Sequence, residues 1–125
     1  MTPAKYDFTF SQGVSFDATF AITVNGSPAD LTNAQFLATL KPDINMLDTD
    51  PEVVMINWTG TGSNGNPDPT LGFTTMSIQP SGTQSMTTVR PYNLLIRAEN
   101  IPLLPEVFDF VTGTVKVSQP VSSRF

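Results

Sequence analysis

Residues 16–24 alternate without a break. Phe16, Ala18, Phe20, Ile22 and Val24 fall on one side, while Asp17, Thr19 and Thr23 fall on the other. A period of two sends successive side chains to opposite faces of an extended chain, so five apolar residues in phase predict a strand with one buried face. The rhythm recurs in Tyr6, Phe8 and Phe10, in Phe36, Ala38 and Leu40, and in Val54, Ile56 and Trp58. It returns in Thr74, Met76 and Ile78, and in Tyr92, Leu94, Ile96 and Ala98. A last strand spans residues 107–117, nearly continuous in apolar character to Val111 before alternation resumes. No segment of ten residues carries a helical period. Seven short strands in 125 residues predict one antiparallel β-sandwich.

The punctuation fits that reading. Ser11-Gln12-Gly13 interrupts the first alternation as a turn or bulge does, and Gly13 lets the chain leave one sheet for the other. Asn25-Gly26-Ser27-Pro28 ends the second strand, because Asn-Gly supplies positive φ angles, and Gly26 and Pro28 shape a hairpin there. Asp30 and Thr32 are suited to tie the next loop through side-chain-to-backbone hydrogen bonds. Residues 41–52 and 60–70 read as loops, and residues 79–89 hold one short helical turn. No linker divides the chain. It is a single domain, 1–125, with short terminal arms at 1–5 and 118–125.

What is missing narrows the function. The chain has no Cys and no His, which removes disulfides, thiolate nucleophiles, Ser-His-Asp triads and imidazole metal sites. Six Lys and Arg against eleven Asp and Glu leave a net charge of −5, the wrong sign for phosphate backbones, so no nucleic acid is expected. No apolar run approaches the roughly 18 residues of a membrane-spanning helix. The first seven residues lack the apolar core of a secretory signal, so the expectation is folding without disulfides in a reducing cytosol. Thr, Ser, Asn and Gln make up about a third of the chain and take the place of charge.

Few residues are candidates for chemistry. Asp43, Asp48, Asp50 and Glu52 bring carboxylates to one loop, as calcium sites do. The EF-hand spacing, however, needs Asp or Asn where Leu47 stands and Gly where Asp48 stands. A solvated loop is the simpler reading, and no metal is expected. Asp68 and the Glu106/Asp109 pair are weaker candidates. Paired carboxylates hydrolyse glycosides only in a cleft that a thin sandwich has little room for. The expectation is no catalytic residue, no cofactor and no small-molecule substrate. Trp58 reads as a core residue, with stacking on a sugar or protein neighbour as the other role.

Two stretches carry a resemblance. Phe8-Thr9-Phe10-Ser11-Gln12-Gly13-Val14-Ser15-Phe16 and Asn25-Gly26-Ser27-Pro28-Ala29-Asp30-Leu31-Thr32 resemble the opening of small phage and prophage structural proteins. The N-terminal domain of siphophage baseplate upper proteins is similar. Gly113-Thr114-Val115-Lys116-Val117-Ser118 resembles the last strand of the same group, whereas Arg90-Pro91 stand before Tyr92 where members often have Gly. The resemblance implies an immunoglobulin-like sandwich serving as a virion building or attachment module in the tail, baseplate, neck or capsid decoration. It also implies many copies, other virion proteins as partners, and no catalysis. A carbohydrate- or host-surface-binding module of the same fold is the alternative.

With charge sparse, partner contacts are expected at sheet edges, Thr/Asn-rich loops and the arms. Val121 and Phe125, apolar residues past the last strand, are the favoured partner contacts. The strand rhythm sets a first test. A far-UV circular dichroism spectrum should show less than about a fifth helix, against the roughly one third of an average domain.

Overall fold

The computed structural model describes residues 3–60, 69–88 and 90–119. Within them the chain forms β1 (Ala4–Ser11), β2 (Phe16–Ala21), β3 (Thr23–Val24), β4 (Ser27–Pro28), β5 (Gln35–Lys41) and β6 (Val54–Thr59). After a 3-10 turn at Pro69–Leu71 come β7 (Phe73–Ile78), a five-residue helix α1 (Pro80–Gln84), β8 (Tyr92–Glu99) and β9 (Val107–Ser118). Five strands make one sheet in the order β1-β9-β8-β5-β6, and β2 pairs with β7 to face it. β3 and β4 form a small hairpin at one end. The alternating residues meet between the sheets. Phe10, Phe20, Leu40, Met76, Ile96 and Val115 are all buried there.

This is an all-β, immunoglobulin-like sandwich, antiparallel apart from one pair. β1 runs parallel to β9, from Ala4 opposite Val111 to Ser11 opposite Ser118. From β1 the chain crosses to β2 in the facing sheet. The crossing is made at Gly13, whose φ of +75° is costly for residues with a side chain. The ladder also moves the arm boundaries, since Ala4 and Lys5 lie inside β1 and Ser118 inside β9. Gly113 is needed for another reason: a Cβ there would overlap the carbonyl oxygen of Tyr6, so β1 docks only against a glycine.

Three sequence expectations change in detail. The alternation over residues 16–24 holds in burial through Ile22 and Val24, but the strand does not run its full length: the ladder with β7 stops at Ile22, whose N–H donates to Gly72 while its carbonyl accepts from Ala29. There the chain leaves β7 and turns into the β3–β4 hairpin. The nearly continuous apolar run after Val107 reflects a bulge, where the register between β8 and β9 shifts between Ile96 and Arg97. The bulge lets consecutive residues Phe110 and Val111 both turn inward. Tyr6 is in phase with the core yet 45% exposed, because it lies on the outermost strand and covers the sandwich rim against Phe8 and Phe20.

One lock was not visible in the strand rhythm. Tyr92, at the start of β8, is buried, and its hydroxyl accepts the Thr87 N–H at 2.8 Å. A tyrosine at this corner bonding to backbone just upstream is a recurrent device of immunoglobulin-like domains. Replacing Tyr92 with Phe keeps the packing and removes that bond. Urea unfolding should show a loss of about 1–2 kcal/mol with an unchanged slope, and an unchanged midpoint would mean the bond contributes nothing.

Candidate functional site

The residues singled out at turns are where the turns are. Asn25 and Gly26 have φ of 53° and 82°, the two positive values a two-residue hairpin loop requires. Pro28 closes that hairpin opposite Thr23. The Asp30 carboxylate accepts from the Thr32 hydroxyl and from its N–H, which hold its pKa below the usual value. A depressed carboxylate pKa means this tie is complete at neutral pH and is lost only as pH falls through the lowered pKa. Val121, Phe125 and Asp68 lie outside the described residues.

The acidic loop after β5 is divided among separate small structures. Asp43 accepts the Asn45 N–H and Asp50 accepts the Glu52 N–H, each closing a turn on itself. Asp48 pairs instead with Lys41 at 2.6 Å. Among the described residues no three acidic side chains converge as a metal cage. Of the Glu106/Asp109 pair, Asp109 is taken up by Arg97 at 3.0 Å. Trp58 turns inward. Its ring stacks on Phe36 with centroids 5.4 Å apart, and its Nε1 donates to the buried Thr74 hydroxyl at 2.6 Å.

What the structure assembles instead is a cleft of about 480 Å³ on the outer face of the five-stranded sheet. The face away from the core carries Leu37, Thr39 and Lys41 on β5, Asn93, Leu95 and Arg97 on β8, and Thr112 on β9. Leu37 and Leu95 are half-buried on its floor. The loop after β5 folds back to wall it with Ile44 and Asp48. Lys41 holds that wall, donating to the Met46 carbonyl as well as pairing with Asp48. Chemically the cleft is a mixed floor, Leu37 and Leu95 among Thr39, Thr112 and Asn93, beside two satisfied ion pairs, a surface for contact and poorly equipped for proton transfer.

Of the described cations, Lys5, Lys41, Arg97 and Lys116 stand on or beside this face, balanced by Asp7, Asp48, Glu99 and Asp109. The loop that walls the cleft adds Asp43, Asp50 and Glu52, the last pairing with Arg90 at 3.6 Å. The sequence held a partial signal for the site: Leu37 and Leu95 are apolar at strand positions that the alternation assigns to the outside. Nothing in the sequence showed that the loop would fold over them.

No family model and no curated protein matches this chain. Among solved structures it is similar to the chicken CNTN1 FN1–FN3 domains, at 13% identity and a TM-score of 0.46. The match covers 98% of this chain and 35% of that one, so this chain spans about a third of that structure's length.

The loop wall offers a direct test. Lys41→Met removes both ties to the loop, and Lys41 is a partly exposed pair member, so stability should fall by about 1 kcal/mol or less. Amide exchange at Met46, Asp50 and Val53 should quicken while the strands stay protected.

Proposed function

We propose that this chain is a non-enzymatic structural module of a bacteriophage virion, a β-sandwich mounted in many copies on the tail, baseplate, neck or capsid. The observation that carries the reading is the outer face of the five-stranded sheet. Half-buried leucines lie there beside ion pairs that are already satisfied, which suits a protein neighbour better than a charged ligand or a reaction. The resemblance of residues 8–16, 25–32 and 113–118 to phage structural proteins supplies the setting. Those segments contain the crossing glycine, the hairpin and the close approach of β1 to β9, so what resembles that group is also what shapes the sandwich.

The carbohydrate-binding alternative has less behind it. Sugar platforms are built from exposed aromatic rings, and two of the three Trp and Tyr side chains, Trp58 and Tyr92, face the core. Tyr6 alone of the three is substantially open.

Density-purified particles from the source that encodes this chain provide the test. Mass spectrometry should find the chain in the particles at a ratio to the major structural proteins consistent with many copies. Its absence from intact particles, or a glycan-array signal that outcompetes particle binding, would overturn the proposal.

A further inference from the structure

The loop of the β3–β4 hairpin joins an asparagine to a glycine, Asn25 to Gly26. The side-chain carbonyl carbon of an Asn is within reach of the next residue's backbone nitrogen, and a following Gly puts no side chain in the way. When the two meet, a carbon–nitrogen bond closes a five-membered succinimide and the side-chain nitrogen leaves as ammonia. Water then opens the ring at one carbonyl or the other. The product is aspartate, or an isoaspartate whose backbone runs through the former side chain. One water enters, one ammonia leaves, and nothing is oxidised or reduced.

The structure gives this chemistry both access and a gate. Asn25 and Gly26 are exposed, and nothing lies within 4 Å of where a Cβ on Gly26 would stand. The Asn25 side chain makes no hydrogen bond among the described residues. The gate is the turn itself. With φ of 53° and 82° at its two residues, such a loop sets the first ψ at about +30°, which points the Gly26 nitrogen away from the Asn25 side-chain carbon. A closed hairpin therefore does not react. Little holds it closed. Its rungs are Thr23 opposite Pro28 and Val24 opposite Ser27, and Pro28 has no N–H to donate. Val24 is half-buried against the end cluster. Below it the chain is tied at Ile22, which accepts from Ala29 at 2.9 Å and donates to Gly72 at 2.7 Å. Residues 23–28 can thus open while the sandwich stays folded.

We propose that Asn25 is a self-modification site, converted to aspartate and isoaspartate in the folded protein at a rate set by opening of the β3–β4 hairpin. Aspartate tolerates positive φ and leaves the hairpin intact. Isoaspartate lengthens the backbone, so the two-residue loop no longer joins Val24 to Ser27 in register. Either product adds a negative charge to a chain already at −5.

The test holds the full chain in mildly alkaline buffer, folded or unfolded in guanidinium chloride, and samples it by peptide mapping. Electron-transfer fragmentation locates the modified residue and separates isoaspartate from aspartate. A second pair, Asn64-Gly65, lies outside the described residues and serves as the reference in denaturant, where the two should react alike. In the folded chain Asn25 should react roughly ten- to a hundredfold more slowly than in denaturant, as a local opening allows. A route through global unfolding would slow it by about a thousandfold or more. Val24→Ala removes part of the hairpin's anchor and should raise the folded-state rate several-fold without changing the rate in denaturant. Val24→Thr takes its place if the melting temperature collapses. An Asn25 that reacts as fast folded as unfolded, one that stays intact in the folded chain, or a rate indifferent to the Val24 variant would each overturn the proposal.

Discussion

The sheet formed by β2 and β7 has only two strands, and two paired strands are marginal in water at best. It persists because its inner face is covered. Phe16 and Phe20 reach across to Phe8, Phe10 and Phe110 in edge-on and tilted ring contacts between 4.0 and 6.2 Å. Trp58 crosses the same gap from the outer edge of the five-stranded sheet and donates to Thr74 on β7. Aromatic burial supplies most of the driving force, while the indole hydrogen bond fixes which residues face each other. At the other end Gln12 donates to the Met86 carbonyl and the buried Thr83 hydroxyl to that of Val14, tying the crossing turn to α1. The small sheet is thus clamped at both ends, and the large sheet is left free to present its outer face.

That dependence explains what could be read from sequence. Alternation names the inner face of a strand directly, so Phe20, Phe36, Ile96 and Val115 were legible as core. Alternation is silent on direction and partner, which is why the parallel course of β1 emerged only with the structure. It is silent as well on locks made by a single polar atom. Tyr92 looked like one more in-phase aromatic, and its hydroxyl contact with Thr87 depends on how the chain returns from α1. The end of the ladder at Ile22 has a similar origin. The residue belongs to the core by phase, and its N–H still reaches Gly72, next in register with β7, but its carbonyl is taken by Ala29 and the β2–β7 ladder ends there.

The outer face was only half legible for a related reason. The pattern that sends Leu94 and Ile96 inward sends Leu95 and Arg97 outward, and a lone outward leucine carries little information, since much of any protein surface is apolar. Meaning comes from what stands beside it. Leu37, the folded-over Ile44 and the Lys41–Asp48 pair join Leu95 into a cleft only after β5 and β8 are in register and the loop has turned back. Charge follows the same course. A net charge of −5 is a property of composition, whereas the pairing of Arg97 with Asp109 across β8 and β9 is a property of register.

An open sandwich must also avoid joining its neighbours through bare strand edges. β1, on one flank of the large sheet, begins just after Pro3 and turns Lys5 and Asp7 outward, and charged or proline-bearing edges discourage strand addition. Asp17 does the same for β2. Edge pairing recognises only backbone and would admit many wrong partners, whereas side chains that fit one another select among them. A chain guarded in this way at its edges leaves side chains, not backbone, as the groups its outer face offers for contact. With Lys41 and Arg97 already held by Asp48 and Asp109, that face offers leucine and threonine side chains and little unpaired charge.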